Sequence, residues 1–158
     1  MKIKGFMACI VFILSATAVQ AGAVQKTGSP GYDSVIKDFI ESHMKTNHKK
    51  LKLILEDGAQ IKIPRGETVI VQNKHDVVEQ AQQDEGVQQV CGFSYEVLGK
   101  SDAIVIARVD FKYENCIQHN YLTLEKNEDK EWKITQDCKI FDDIQPPPDR
   151  GGSITLVN

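Results

Sequence analysis

QQVCGFSYEVL (Gln88–Leu98), DAIVIARVDFKY (Asp102–Tyr113), NCIQHNYLTLEK (Asn115–Lys126) and EWKITQDCKIF (Glu131–Phe141) follow one another with only short polar breaks. From Ala103 to Tyr113 the residues alternate. Val105, Ala107, Val109, Phe111 and Tyr113 fall on one side, Ile104, Ile106, Arg108, Asp110 and Lys112 on the other. Strand side chains point alternately to opposite faces, so a period of two sets one apolar row against a core. β-Branched and aromatic residues suit such a pleated surface. The breaks Gly99–Asp102 and Asn127–Lys130 carry turn residues and no long apolar side chain, which predicts hairpins and antiparallel neighbours.

A four-residue loop at Gly99–Asp102 would pair Tyr95 and Val97 with the Ile104/Ile106 side. The sheet would then be apolar on both faces and need two covers, helices on one and a second subunit on the other. A turn at Asn127–Lys130 places Cys138 opposite about His119 and Cys116 opposite about Phe141. No cysteine then faces another, and a bridge needs close Cα atoms, so no essential disulfide is expected.

Upstream, Val35, Ile36, Phe39, Ile40 and Met44 recur at helical spacing behind a cap at Asp33 or Ser34. Thr46-Asn47 breaks that helix. A second, Lys49 to Leu55, stops at Asp57-Gly58. Gln60–Ile63 and Glu67–Gln72 flank the turn Pro64-Arg65-Gly66 as a strand pair. Asn73, with Asp76 three residues on, caps a third helix that ends near Gly86. Helices ahead of consecutive strands, covering one side, predict an α+β domain.

The ends read differently. Met1–Ala21 has Lys2 and Lys4, an apolar run from Phe6 to Leu14, and small residues around Val19-Gln20-Ala21. This is the pattern of a secretory signal peptide cleaved near Ala21, which places the mature chain in the periplasm or outside the cell, with no transmembrane span left. Residues 22–32 read as a flexible segment, 33–143 as one domain, and 144–158 as a Pro/Gly-rich tail in which Pro146–Pro148 cannot continue a ladder. Loss of Lys2 and Lys4 moves the net charge from −3 to −5. That argues against nucleic acid as a partner. The basic run from Lys45 to Lys52 reads as a solvated helix face.

Three groups of residues also resemble a known family. They are Ser34–Met44 followed by Lys49–Asp57, the segment VQNKHDVV (Val71–Val78), and the closing strands SDAIV (Ser101–Val105), HNYLTL (His119–Leu124) and WKI (Trp132–Ile134). In order and spacing they resemble the nuclear transport factor 2-like superfamily, which includes ketosteroid isomerase, scytalone dehydratase and the SnoaL-like polyketide cyclases. The last two stretches are similar to secreted bacterial members of the lumazine-binding-like kind. The resemblance implies a cone-shaped, curved antiparallel sheet on about three N-terminal helices. It also implies a pocket between sheet and helices, and a homodimer formed through the outer sheet face. Such cones host enzymes, binders and interaction modules alike, so the fold alone does not fix function.

The expected pocket wall is Phe111, Tyr113 and Trp132, with polar handles from His119, Asn120 and Tyr121. Depending on a bulge, either His119 and Tyr121 or Gln118 and Asn120 point inward. His119 and Tyr121 are the candidates for acid/base work, and Cys138 could oppose His119 as a nucleophile's partner. Asp110 reads outward and Asp57 sits in a turn, so the carboxylates of ketosteroid isomerase do not carry over. His43 and His48 straddle the Thr46-Asn47 break, and closely spaced Cys/His pairs are missing, so neither a metal nor another cofactor is expected.

The expected function is that of a secreted or periplasmic, non-enzymatic module. It binds a small apolar or aromatic ligand or acts as a dimer. The alternatives are a SnoaL-like isomerase, dehydratase or cyclase using a pocket histidine, and a protein-binding module acting through the sheet face or the Pro-rich tail.

Overall fold

A computed structural model describes residues 31–144 of the 158. The signal-peptide reading of 1–21, the segment up to residue 30 and the tail from residue 145 lie outside them. In order come α1 (Tyr32–Met44), α2 (His48–Ile54), β1 (Leu55–Arg65), β2 (Thr68–Asn73), α3 (Lys74–Gln83), β3 (Gly92–Lys100), β4 (Ile104–Lys112), β5 (Cys116–Lys126) and β6 (Trp132–Asp143). The six strands form one sheet in the order β2-β1-β6-β5-β4-β3. Every ladder is antiparallel except β1 with β6, which the sequence could not announce because those strands lie far apart in the chain.

The alternation in β4 holds. Val105, Ala107, Val109 and Phe111 are fully buried, while Ile104 and Ile106 are exposed. From α1, Val35, Ile36, Phe39 and Ile40 pack onto that inner row together with Leu122, Leu124 and Ile134. Each large side chain so buried contributes on the order of 1.5–3 kcal/mol, which fixes α1 across the sheet.

Local signals decide the helix ends. The Asn73 side chain accepts from the Asp76 amide and the Asp76 carboxylate accepts from the Asn73 amide, a complete capping box. Asn47 does the same single-handedly for α2 by accepting from Lys50 N. Two expectations fail here. Helix α1 begins behind Gly31 with no side-chain cap, so neither Asp33 nor Ser34 serves. Helix α2 spans His48–Ile54, within a residue of the expected Lys49–Leu55, but what stops it is not Asp57-Gly58: Leu55 already pairs with Ile134 and the chain goes straight into β1.

The strand register brings two further corrections. The β3 partners of Val109 and Ala107 are Tyr95 and Val97, so these lie on the inner row rather than beside Ile104 and Ile106. The cause is a bulge at Leu98, between Val97 and Gly99. In the last hairpin Cys138 faces Tyr121 rather than His119, and Cys116 faces Asp143 rather than Phe141. One residue of that slip comes from the loop. Lys126 pairs with Trp132, and Asn127 closes a five-residue loop by bonding Glu131 at 2.9 Å through both backbone and side chain. The other comes from a bulge at Thr135. Cys91, Cys116 and Cys138 are free thiols.

Candidate functional site

The bulge at Thr135 builds the site. Ile134 is buried on the inner face, and strict alternation would continue that row through Gln136 and Cys138. The extra residue turns Asp137 and Lys139 inward instead, where Asp137 faces Leu122 and Lys139 faces Asn120. Asp137 is 1% exposed, and its Oδ1 has no hydrogen-bond partner. Burial raises its carboxyl to about 6, with the Lys139 charge pulling the other way. On β5, Gln118 and Asn120 share this row. The Gln118 amide donates to Asn120 Oδ1 at 3.0 Å, and the Asn120 amide donates to the Val109 carbonyl at 3.2 Å.

Helix α1 supplies the facing group. His43 continues the Ile36–Phe39–Ile40 stripe by one turn and stacks on Phe111, the ring centroids 3.8 Å apart. Its Nε2 lies 2.8 Å from the Tyr113 hydroxyl. Desolvation, aided by Lys139, holds the imidazole down to about 4, so it is neutral near pH 7. Burial pushes the Tyr113 phenol up to about 12, so it keeps its proton.

Between this cluster and helices α2 and α3 is a cavity of about 190 Å³. The sheet contributes Gln72 and Lys139 to its wall and the α3–β3 segment Gln89; the helices contribute Phe39, Ser42, His43, Leu51, Val77, Gln80 and Ala81. The rest of the inner face is filled, with Val105, Val109, Phe111, Asn120 and Leu122 inaccessible to solvent. A second concavity of about 550 Å³ lies between α1 and the overhanging inner side of β3, where Ile40, Met44, Phe93 and Tyr95 meet.

No family model matches the chain. No curated protein matches it in sequence. Solved structures do match in fold. A nuclear transport factor 2-like protein of unknown function from Silicibacter pomeroyi superposes with a TM-score of 0.60 at 9% identity, covering 70% of this chain and 92% of that one. The chain has the nuclear transport factor 2-like fold. Another such protein of unknown function, from Shewanella baltica, gives 0.55 at 11% identity over 73% and 91% of the two chains. A ketosteroid isomerase-like protein from Erwinia carotovora atroseptica gives 0.52 at 13% over 72% and 94%.

Within this nuclear transport factor 2-like cone the residues singled out from the sequence part company. Phe111, Tyr113 and Asn120 gather around His43 on the inner side. Trp132 lies at the other end of α1, edge-on to Tyr32 with centroids 5.8 Å apart and Lys126 over its ring. His119 and Tyr121 take the outer face, since the alternative left open by the sequence resolves in favour of Gln118 and Asn120. There His119 Nδ1 is 2.7 Å from Asp110, its Nε2 is 3.3 Å from Asp142, and Arg108 bridges Asp110 and Glu96. The Cys138–His119 pair does not form.

Two inward groups, Asp137 and Lys139, escaped the sequence reading because a bulge is invisible to a period-two count. His43 had a signal, its place in the apolar stripe of α1. No group of three or more His, Cys, Asp or Glu side chains among the described residues is placed to hold a metal ion. No helix among them is long and apolar enough to cross a membrane.

Proposed function

We propose that this chain is a secreted or periplasmic, non-enzymatic binding module of the nuclear transport factor 2-like type, which holds a small molecule in the cone. The cavity beneath α2 and α3 carries this reading. It is an unfilled part of the inner side where polar groups such as Gln72, Gln80 and Lys139 meet the apolar Phe39, Leu51 and Val77, as ligand sites require. Its volume corresponds to about six waters at some 30 Å³ each, which sets the ligand at metabolite size. Catalysis is the poorer reading. The inward histidine is neutral and bonded to a phenol, and the one carboxylate facing inward on β6 is walled in by Leu122 and Ile61.

The test is native mass spectrometry of residues 22–158 purified from the producing cell, followed by denaturation and identification of what is released. A small molecule bound one to one, and lost on filling the cavity with Ala81→Trp, is the expected result. A protein that carries nothing, and whose His43 and Tyr113 resonances move with no metabolite extract, would sink the reading. The compartment is tested by fractionation and N-terminal sequencing, with Gly22 as the expected first residue of an exported chain.

A second reading has its own support. The outer sheet face exposes Val69, Val71, Ile104, Ile106 and Ile140, with no helix of the described residues over them. A homodimer through that face would cover them.

A further inference from the structure

Several lysines among the described residues are engaged, while Lys49, Lys52 and Lys112 are unpaired but exposed to solvent. Lys50 pairs with Asp38 and Glu41, Lys74 with Asp57, and Lys133 with Glu131, while Lys62 bonds Gln136. Lys139 makes neither an ion pair nor a hydrogen bond among the described residues. It is nevertheless no ordinary surface lysine. Its row is set by pairing with Asn120, which is fully buried, and it lines the cavity. Its charge also reaches two interior groups, adding to the desolvation that lowers His43 on α1 and offsetting in part the burial that raises Asp137 on β6. Asp137, two residues away on the same row, lies outside ion-pair distance, and Asp84 is an exposed acid at the rim. A half-buried cation with no counter-ion is costly unless something supplies the charge.

We infer that the cavity takes a small carboxylate, with Lys139 as its counter-ion and the ligand's short apolar part lying against Phe39, Leu51 and Val77. This rests on the binding-module reading above and adds the class of ligand. The wall is arranged for it. Gln72 and Gln89 line the same cavity and carry amide donors, and neutral His43 adds no competing charge. The helices add Phe39, Leu51, Val77 and Ala81 together with the polar Ser42 and Gln80. A cavity this size suits a chain of about four carbons. A hydrogen bond to a charged group outweighs one between neutral groups, so the acid should be favoured over its own amide.

The probes are therefore butyrate and butanamide, which match in shape and differ in charge. Each is titrated into the mature chain at pH 7 while the amide and side-chain resonances of His43, Gln72 and Gln89 are followed by NMR. Butyrate is expected to bind at least 10-fold more tightly than butanamide. Lys139→Gln should abolish that preference and Lys139→Arg should restore it. Asp137→Asn, which removes a buried charge of the ligand's own sign two residues from Lys139, should strengthen butyrate binding several-fold, a change that a purely structural lysine would not produce. Equal binding of the two probes, unaffected by Lys139→Gln, overturns the carboxylate and leaves a neutral-ligand module standing. If neither probe moves these resonances while a molecule still co-purifies, the carboxylate is again overturned and the module survives. If neither binds and nothing co-purifies, both readings fail together.

Discussion

Asp137 and His43 face the same interior and titrate in opposite senses. Asp137 sits near 6 against 3.8 for the free side chain, so the folded protein takes up its proton before the unfolded chain does. That contribution to stability is complete below 3.8 and is lost as the pH rises through 6. At pH 8 the ionised group costs about 3 kcal/mol, at about 1.4 kcal/mol per pKa unit. His43 sits near 4 against 6.5, so its contribution is present above 6.5 and is lost as the pH falls through 4. Between about 4 and 6 the two slopes oppose each other and largely cancel. Asp137→Asn should therefore do two things in urea titrations. It should stabilise the protein at pH 8 by about 1–3 kcal/mol, with the gain vanishing near pH 4. It should also uncover the acid-side loss due to His43. A variant less stable than the native chain at pH 8 would mean that the carboxylate has a partner holding it charged. His43 was readable in the sequence as the fourth member of an i, i+3, i+4, i+7 stripe starting at Ile36. Asp137 was not, because one inserted residue at Thr135 reverses the face of everything after it.

Some ends set by neighbours in sequence matched expectation, though the α1 cap did not, and those set by distant partners did not match either. The capping box of α3 is of the first kind, with Asn73 and Asp76 exchanging two bonds of 3.1 Å. The junction of α2 and β1 is of the second kind. Its turn chemistry at Asp57-Gly58 is genuine, but parallel pairing with β6 recruits Leu55 first. Strand existence and order in the late block were legible because period two is local. The Leu98 and Thr135 bulges were not, since they relieve mismatches between strands rather than within one. These bulges decide which side chains reach the cone, so the site was less readable than the fold around it. The cap makes a direct prediction. Helix α3 has no fully buried residue, so little tertiary packing replaces a lost cap. Asn73→Ala should cost about 1 kcal/mol. Amide exchange should quicken along α3 while β4 and β5 keep their protection. Uniform acceleration across the sheet would mean that α3 is integral to the core.

At the scale of the whole molecule, the sheet has two faces with different fates. α1 crosses the inner face and, with α2 and α3, covers most of it, leaving among other clefts the cavity and the β3 overhang open. Among the described residues the outer face has no helix. A charge chain runs across its middle from Glu96 through Arg108, Asp110 and His119 to Asp142, each member already paired within the chain. Aliphatic side chains flank it, Ile104 and Ile106 on the β4 side and Val69, Val71 and Ile140 on the other. Charges paired this way carry little cost into an interface rim, whereas the flanking aliphatics gain only if something covers them. For the proposed dimer, Ile106 decides the matter. It is 36% exposed in the single chain, so a charge there can be solvated without disturbing the core. Buried against a second copy, the same charge would be unpaired and expensive. Ile106→Asp should therefore weaken self-association at least 10-fold in sedimentation equilibrium. The folded monomer's circular dichroism should stay as it was. Phe93→Asp, at a more exposed aromatic on the inner overhang, serves as the control and should leave association unchanged. If both variants and the native chain sediment alike as monomers, the outer face is not where copies of this protein meet, and the unpaved aliphatics must answer to a different partner.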